Sequence, residues 1–93
     1  MKVLIVEDEQ PAIEKLERYL LKYDPTIEIL DRLKSVSDSV TWFKEHSEWP
    51  DLLFLDIQLA DGLSFEIFNQ VDVRLPIIFT TAFDEFALDA FKH

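Results

Sequence analysis

Several kinds of residue and segment are absent from this chain of 93 residues. It contains no cysteine, so it can form neither disulfide bonds nor a thiolate metal site, which suits a reducing compartment. No apolar stretch approaches the roughly 20 residues that a membrane-spanning helix needs. The apolar run at residues 3–6 is short and Glu7 follows it at once, so the start does not resemble a signal peptide. We therefore expect one small domain with no membrane association.

Basic residues and glycine are scarce. Only 9 lysines and arginines stand against 19 aspartates and glutamates, which gives a formal net charge of −10. This excess would repel a phosphate polyanion, so we expect no direct nucleic-acid binding by this segment. Divalent cations and basic partner surfaces are favoured instead. The single glycine, Gly62, follows Asp61 in a turn signal, and the 48% of hydrophobic residues are enough for a core.

Strand-like and helix-like patterns alternate along the chain. Four apolar runs predict strands at residues 1–6, 26–33, 51–55 and 76–81. The second run is the least apolar and is expected at a sheet edge. Helices are predicted after each strand, near residues 11–23, 36–46, 64–71 and 85–93. The alternation predicts an α/β fold with right-handed crossover connections.

Local signals mark where the predicted helices begin. Pro11 suits a first helical turn, Ser35 or Ser37 can cap the second helix, and Asp84 can cap the fourth. Apolar side chains recur at helical spacing and are expected to face the core. They are Ile13, Leu16, Leu20 and Tyr23, then Val36, Val40 and Phe43, then Leu63, Ile67, Phe68 and Val71, and finally Ala87, Ala90 and Phe91.

Acidic residues follow two of the predicted strands. Glu7 and Asp8 come directly after residues 3–6, and Asp56 comes directly after residues 52–55. The carboxyl ends of parallel strands meet at one edge of an open α/β sheet. If the two strands are neighbours, the three carboxylates converge, and such a cluster suits a hard divalent cation such as Mg²⁺.

Three motifs resemble the receiver domain of two-component response regulators. They are residues 3–9, residues 55–59 with Asp61 and Gly62, and residues 78–83. Residues 79–88 resemble in particular the receivers that precede a LytTR-type DNA-binding domain. The resemblance implies a flavodoxin-like, doubly wound parallel sheet with strand order 2-1-3-4-5. It also implies a cytoplasmic signalling phosphoacceptor rather than an enzyme, which receives a phosphoryl group from a histidine kinase and assists its own phosphotransfer.

The resemblance also assigns roles to single residues. Asp56 matches the phosphoacceptor. Asp8 and Glu7 match the acidic pair that binds Mg²⁺, and Gln58 matches the position whose backbone carbonyl completes the metal site. The implied partners are the kinase, a C-terminal DNA-binding output domain in the full-length protein, and a second copy in a homodimer.

Two further residues match positions near the end of the fourth predicted strand. Thr81 matches the hydroxyl residue that hydrogen-bonds the phosphoryl group and shifts on activation. Ala82 matches the small residue that leaves room for phosphate access.

The sequence departs from the family pattern in two places. Leu59 and Ala60 stand where many receivers carry a Met-Pro pair, and the segment between Asp56 and Gly62 is short. The family's fifth strand and helix, with its phosphate-pairing lysine, fall beyond His93. We therefore expect residues 1–93 to be one receiver domain that is incomplete at its carboxyl end. Its fourth strand is then an exposed edge that favours self-association.

Other interpretations of these residues stay open. The chain could be a receiver-like module that binds partners without phosphorylation. Glu7 and Asp8 could be solvated acids, Asp56 a helix cap, and Thr81 an ordinary strand residue. An aspartate-nucleophile phosphatase usually has a second acid two residues after its nucleophile, and Gln58 cannot act as one.

Overall fold

The computed structural model describes residues 1–80, and they form one parallel sheet, one short hairpin and three helices. The strands are β1 (Lys2–Val6), β2 (Glu28–Leu33), β3 (Leu52–Asp56), β4 (Gln58–Leu59), β5 (Gly62–Leu63) and β6 (Ile77–Thr80). The helices are α1 (Gln10–Tyr23), α2 (Val36–Glu45) and α3 (Glu66–Gln70). None of the helices within residues 1–80 is long and apolar enough to cross a membrane.

The main sheet has the order β2-β1-β3-β6, and its neighbouring strands all pair in parallel. Because β6 is the fourth strand predicted from the sequence, this order confirms the α/β class and the 2-1-3-4 part of the flavodoxin-like arrangement. The second strand lies at the sheet edge, as predicted. The expected fifth strand and the helix predicted from Glu85 lie outside the described residues.

The two central strands carry the most deeply buried residues of the fold. In β1, residues 3–6 are fully buried, and in β3 Leu53 and Leu55 are fully buried. Strands that are covered on both faces need apolar side chains on both faces, which is why these runs show no alternation. The central position of β1 and β3 also decides where the acids at their carboxyl ends lie.

Helix α1 covers one face of the sheet. Pro11 lies in its first turn, and Ile13 is fully buried in a cluster with residues from β1 and β3. Leu16 and Leu20 pack against this cluster, as predicted. The prediction was wrong for Tyr23, which is 86% exposed, because it is the last residue of the helix and the apolar cluster stops at Leu20.

Helices α2 and α3 cover the other face over a larger cluster. The hydroxyl oxygen of Ser35 accepts the Asp38 N–H at 3.0 Å, so Ser35 is the cap of α2 rather than Ser37. The predicted inward residues of α2 are buried, as is Trp42. The cluster consists of Leu4, Val6, Leu33, Val36, Val40, Trp42, Phe43, Leu53, Leu55, Leu59 and Ile67.

The segment after β3 differs from its prediction. Residues 58–63 form an antiparallel hairpin, and α3 begins at Glu66 rather than at residue 64. Ser64 and Phe65 form a turn before the helix, in which the Ile67 and Phe68 N–H groups donate to the carbonyls three residues earlier, at 3.0 Å and 3.1 Å. Leu63 is 50% exposed and not on the inner face, because in an extended strand successive side chains point to opposite sides and Ser64 is the buried one.

Candidate metal and phosphoacceptor site

The pairing of β1 with β3 brings the predicted acids together. The two strands are parallel neighbours, and Val6 lies opposite Leu55. Glu7 directly follows β1, and Asp56 is the last residue of β3, so both carboxylates leave the sheet at the same edge. The Glu7 N–H donates to the Leu33 carbonyl at 2.8 Å, which holds this end of β1 against β2.

Glu7, Asp8 and Asp56 form a compact carboxylate cluster. One carboxylate oxygen from each residue lies within 4.8 Å of the others. Glu7 is only 6% exposed and Asp56 only 8% exposed, whereas Asp8 is half-buried. The interpretation of Glu7 and Asp8 as separate solvated acids therefore does not fit the fold, since Glu7 is buried and faces two other carboxylates.

Burial is the main influence on the protonation of Glu7. It raises the pKa of Glu7 from 4.5 to about 7, because a charged carboxylate loses solvation inside the fold. The nearby charges of Asp56 and Asp8 raise this pKa further. The Glu9 N–H donates to the Glu7 carboxylate at 3.1 Å and opposes the change.

Burial also raises the pKa of Asp56. The neighbouring Glu7 side chain and the backbone N–H groups of Ile57 and Gln58 lower this pKa and offset part of the increase. Both acids are therefore harder to ionise than exposed carboxylates, and a bound cation would favour the Asp56 anion that a nucleophile requires.

The cluster has the donor chemistry of a hard-cation site. It offers carboxylate oxygens, with no sulfur or nitrogen ligand, and Mg²⁺ prefers one or two carboxylates together with waters and phosphate oxygens. A bound cation would also offset the repulsion among the three acids. The residues present thus fit the metal that the sequence predicts. Gln58 begins the hairpin directly beside this cluster, and its side chain is exposed.

The hairpin after Asp56 contains polar contacts that the sequence analysis missed. The Ile57 carbonyl accepts two hydrogen bonds from Ser64, from its N–H at 2.9 Å and from its hydroxyl at 3.0 Å. Asp61 accepts the N–H groups of Val36 at 2.8 Å and Ser37 at 3.1 Å, so the hairpin turn caps helix α2. The sequence showed Asp61 only as a turn residue, because its partners are 24 and 25 residues away.

Gly62 allows this hairpin to form. Its φ is +143°, a conformation that residues with a Cβ rarely adopt. No other described residue has a positive φ. The short segment between Asp56 and Gly62 is thus a defined hairpin.

Exposed apolar side chains lie on the hairpin and on β6. Leu63, Phe65, Ile78 and Phe79 are each about half exposed, and the rings of Phe65 and Phe79 meet edge to face with centroids 5.7 Å apart. Thr80, the last described residue, is the register partner of Asp56. The predicted site residues Thr81 and Ala82 lie outside the described residues.

The sequence is similar to those of known signalling and regulatory proteins. Residues 3–93 match the family described as the response regulator receiver domain. Over 95 residues the chain is 40% identical to the sensory transduction protein LytT of Bacillus anthracis, covering 99% of the chain and 37% of that protein. It is 42% identical over 94 residues to the transcriptional regulatory protein BtsR of Salmonella typhi, covering 99% of the chain and 38% of that protein.

The fold is similar to solved receiver structures. The N-terminal domain of a response regulator/sensory box/GGDEF 3-domain protein from Carboxydothermus hydrogenoformans superimposes with a TM-score of 0.74 at 26% identity. The match covers 88% of this chain and 65% of that one. The chain thus spans less than two fifths of the length of the curated relatives, within which it matches the receiver region.

Proposed function

The chain belongs to the response regulator receiver domain family, and from this premise we propose that it accepts a phosphoryl group on Asp56 in a Mg²⁺-dependent reaction. The observation that carries the proposal is the convergence of Glu7, Asp8 and Asp56 at one edge of the sheet. Receiver domains are signalling modules, so the phosphoryl group is a signal rather than a product released in turnover.

The proposed reaction uses Asp56 as the nucleophile. A carboxylate oxygen of Asp56 attacks the phosphorus of a phosphohistidine or a small phosphodonor. The P–O bond to Asp56 forms as the P–N bond, or the bond to the donor's leaving group, breaks. Phosphoryl transfer depends mostly on positioning and on stabilising charge. The position of Asp56 beside Glu7 and Asp8 supports this role, because a cation bound by the three acids would favour the Asp56 anion.

We propose that Mg²⁺ is held by the carboxylates of Glu7, Asp8 and Asp56 and by the backbone carbonyl of Gln58. When bound, Mg²⁺ would supply positive charge that offsets the repulsion between Asp56 and the phosphoryl oxygens. Asp8 is the most exposed of the three acids and can reach an entering cation. Glu7 must release its proton for this site to form, because a metal ligand is the deprotonated carboxylate.

We further propose that Thr81 donates a hydrogen bond to the phosphoryl group and shifts on activation, and that Ala82 leaves space for phosphate entry. The register of Thr80 opposite Asp56 supports this, because Thr81 is the next residue along the chain. In the full-length protein, Thr81→Ala should retain phosphorylation and weaken the output. Phosphorylation that disappears in this variant would instead make Thr81 part of the transfer step.

The proposed partners follow from the relatives. One is a histidine kinase, and another is a C-terminal DNA-binding output domain in the full-length protein, because the relatives include a regulatory protein described as transcriptional. A homodimer is a third proposed partner. We also propose that residues 1–93 form one receiver domain and that output segments lie elsewhere in the full-length protein.

The test is phosphorylation by acetyl phosphate in the full-length protein, with and without Mg²⁺, followed by intact mass. Wild type should gain one phosphoryl group only with Mg²⁺, and Asp56→Asn should gain none. Asp51→Asn is the matched control, because Asp51 lies at the opposite end of the same strand and should be labelled like wild type. Equal labelling of Asp56→Asn and wild type would refute the assignment.

A second candidate function is a receiver-like module that binds partners without phosphorylation. The half-exposed rings of Phe65 and Phe79, which meet edge to face, favour it, because adjoining apolar side chains on a surface are suited to a protein partner. A protein that binds Mg²⁺ but takes up no phosphoryl group, from acetyl phosphate or from a phosphorylated kinase, would support this second function.

A further inference from the structure

A single buried serine holds the peptide that follows the acceptor strand. Ser64 is fully buried, and its N–H and its hydroxyl both donate to the Ile57 carbonyl, at 2.9 Å and 3.0 Å. The backbone bond belongs to the hairpin and needs no particular side chain. The hydroxyl bond is the additional contact, and only a residue with a short side-chain donor can make it at this position.

The Ile57 carbonyl belongs to the peptide unit that joins Ile57 to Gln58. A peptide unit is planar, so fixing the direction of its carbonyl also fixes the direction of its N–H. That N–H belongs to Gln58, and it lowers the pKa of Asp56. The carbonyl of Gln58, which is the proposed metal ligand, is attached to the same anchored segment.

We propose that Ser64 is a positioning residue for this site, which orients the Gln58 N–H and carbonyl through the Ile57 carbonyl. The inference deepens the proposed function and rests on it where Mg²⁺ and phosphorylation are concerned. Residues that do not touch the metal act in the same way in known metal sites, because their hydrogen bonds orient the groups that do. Ser64 itself touches neither the acceptor nor the cation.

A purely structural role is the competing explanation, and Ser39 provides the comparison. Ser39 is also fully buried, and its hydroxyl also donates to a backbone carbonyl, that of Ser35 at 2.8 Å. This bond lies within α2 and is not connected to the peptide after Asp56. Ser39→Ala therefore removes a hydrogen bond of the same kind at an equally buried position. It should leave the proposed site unaffected.

The experiment compares Ser64→Ala with Ser39→Ala in the full-length protein. Both variants should lose similar amounts of stability in chemical denaturation. Only Ser64→Ala should weaken Mg²⁺ binding, by about tenfold, at the lower end of the losses of about 10- to 100-fold for outer-shell residues. Only Ser64→Ala should speed hydrogen exchange of the Gln58 amide, by about tenfold, because its peptide loses an anchor.

A Ser64→Cys variant separates positioning from packing. It restores the volume lost in alanine but supplies only a weak donor. Under the proposal it behaves like Ser64→Ala in Mg²⁺ affinity and Gln58 exchange. Wild-type values of both quantities in either Ser64→Cys or Ser64→Ala, or equal changes in Ser39→Ala, would overturn the proposal. If Gln58 exchange and Mg²⁺ affinity change as expected while Asp56 takes up no phosphoryl group, the positioning role holds and the proposed function fails.

Discussion

Acidic residues have opposite surroundings at the two ends of the parallel strands. We call the side of the sheet where the strands begin the amino edge and the side where they end the carboxyl edge. At the amino edge, Asp24 accepts the N–H and hydroxyl of Thr26 at 2.9 Å and 2.7 Å. Asp51 accepts the N–H of Lys2 at 2.7 Å. At the carboxyl edge, the three acids of the cluster lie against one another instead. Hydrogen-bond donors thus stabilise the charged acids at the amino edge, whereas the acids at the carboxyl edge repel one another.

The pKa values of the two edges move in opposite directions for this reason. The hydroxyl and N–H of Thr26 lower the pKa of Asp24, which is half-buried. Burial raises the pKa of both Glu7 and Asp56. An acid with a lowered pKa stabilises its own turn, whereas buried acids with raised pKa values cost stability that a ligand can recover. This contrast supports the proposal that the carboxyl edge binds the cation.

The largest expected effect is the loss of Mg²⁺ affinity in Asp8→Asn. We expect a loss of about 100-fold, because removal of outer-shell partners alone costs about 10- to 100-fold and Asp8 is a proposed direct ligand. Tryptophan fluorescence or amide shifts report the titration. Asp24→Asn is the control at the amino edge and should bind like wild type. Unchanged affinity in Asp8→Asn would remove Asp8 from the site.

The second prediction concerns stability without a metal. Burial raises the pKa of Glu7 to about 7 in the folded protein, so charging Glu7 costs stability. The contribution of Glu7 to the free energy of unfolding is therefore fully present below its ordinary pKa of 4.5 and is lost as the pH rises through 7. Glu7→Gln mimics the protonated form and should be more stable than wild type at pH 8, by about 2 kcal/mol. Urea denaturation at pH 5 and pH 8 measures this, and the gain should be much smaller at pH 5, which is close to the ordinary pKa of 4.5.

Asp24→Asn is the counterpart at the amino edge. The pKa of Asp24 is lowered, so its contribution is present above the ordinary value of 3.8 and is lost as the pH falls through the folded value. The variant should therefore be less stable than wild type at neutral pH and equal to it at low pH. If both variants had the same pH dependence, the contrast between the edges would be wrong.

The third prediction links protons to the metal. Mg²⁺ must displace the proton from Glu7, so its affinity should rise with pH up to about 7 and then level off. Between pH 6 and pH 8 we expect a gain of about tenfold. Calorimetric titration in buffers of different ionisation heat also detects the released proton. In Glu7→Gln the affinity should be lower and should vary much less with pH.

The smallest expected effect is at an ion pair of the amino edge. The Lys2 ammonium and the Glu48 carboxylate are 3.4 Å apart, and their side chains are 44% and 82% exposed. Glu48→Gln should change the free energy of unfolding by less than about 0.5 kcal/mol, because water and salt screen exposed pairs. A loss well above this value in urea denaturation would show that the amino edge depends on charge more than its exposure indicates.

The sequence was most informative where a residue's role depends on its neighbours in the chain. The runs that end at Glu7 and Asp56 predicted two buried strands, and Ser35 was one of two serines predicted to cap α2. Predictions were wrong where distant contacts compete with local ones. The pairing of residues 58–63 in a hairpin moves the start of α3 to Glu66, and Tyr23 has helical spacing but lies beyond the core.

By itself, the sequence determined the order of strands and helices and the edge at which the acids appear. These follow from apolar periodicity and from the connection rules of parallel sheets, which depend on residue order. Only the tertiary structure decided that burial raises the pKa of Glu7 and that Ser64 anchors the peptide after Asp56. The physical reason is that desolvation depends on all the atoms packed around a group, and hydrogen-bond geometry on where distant segments meet.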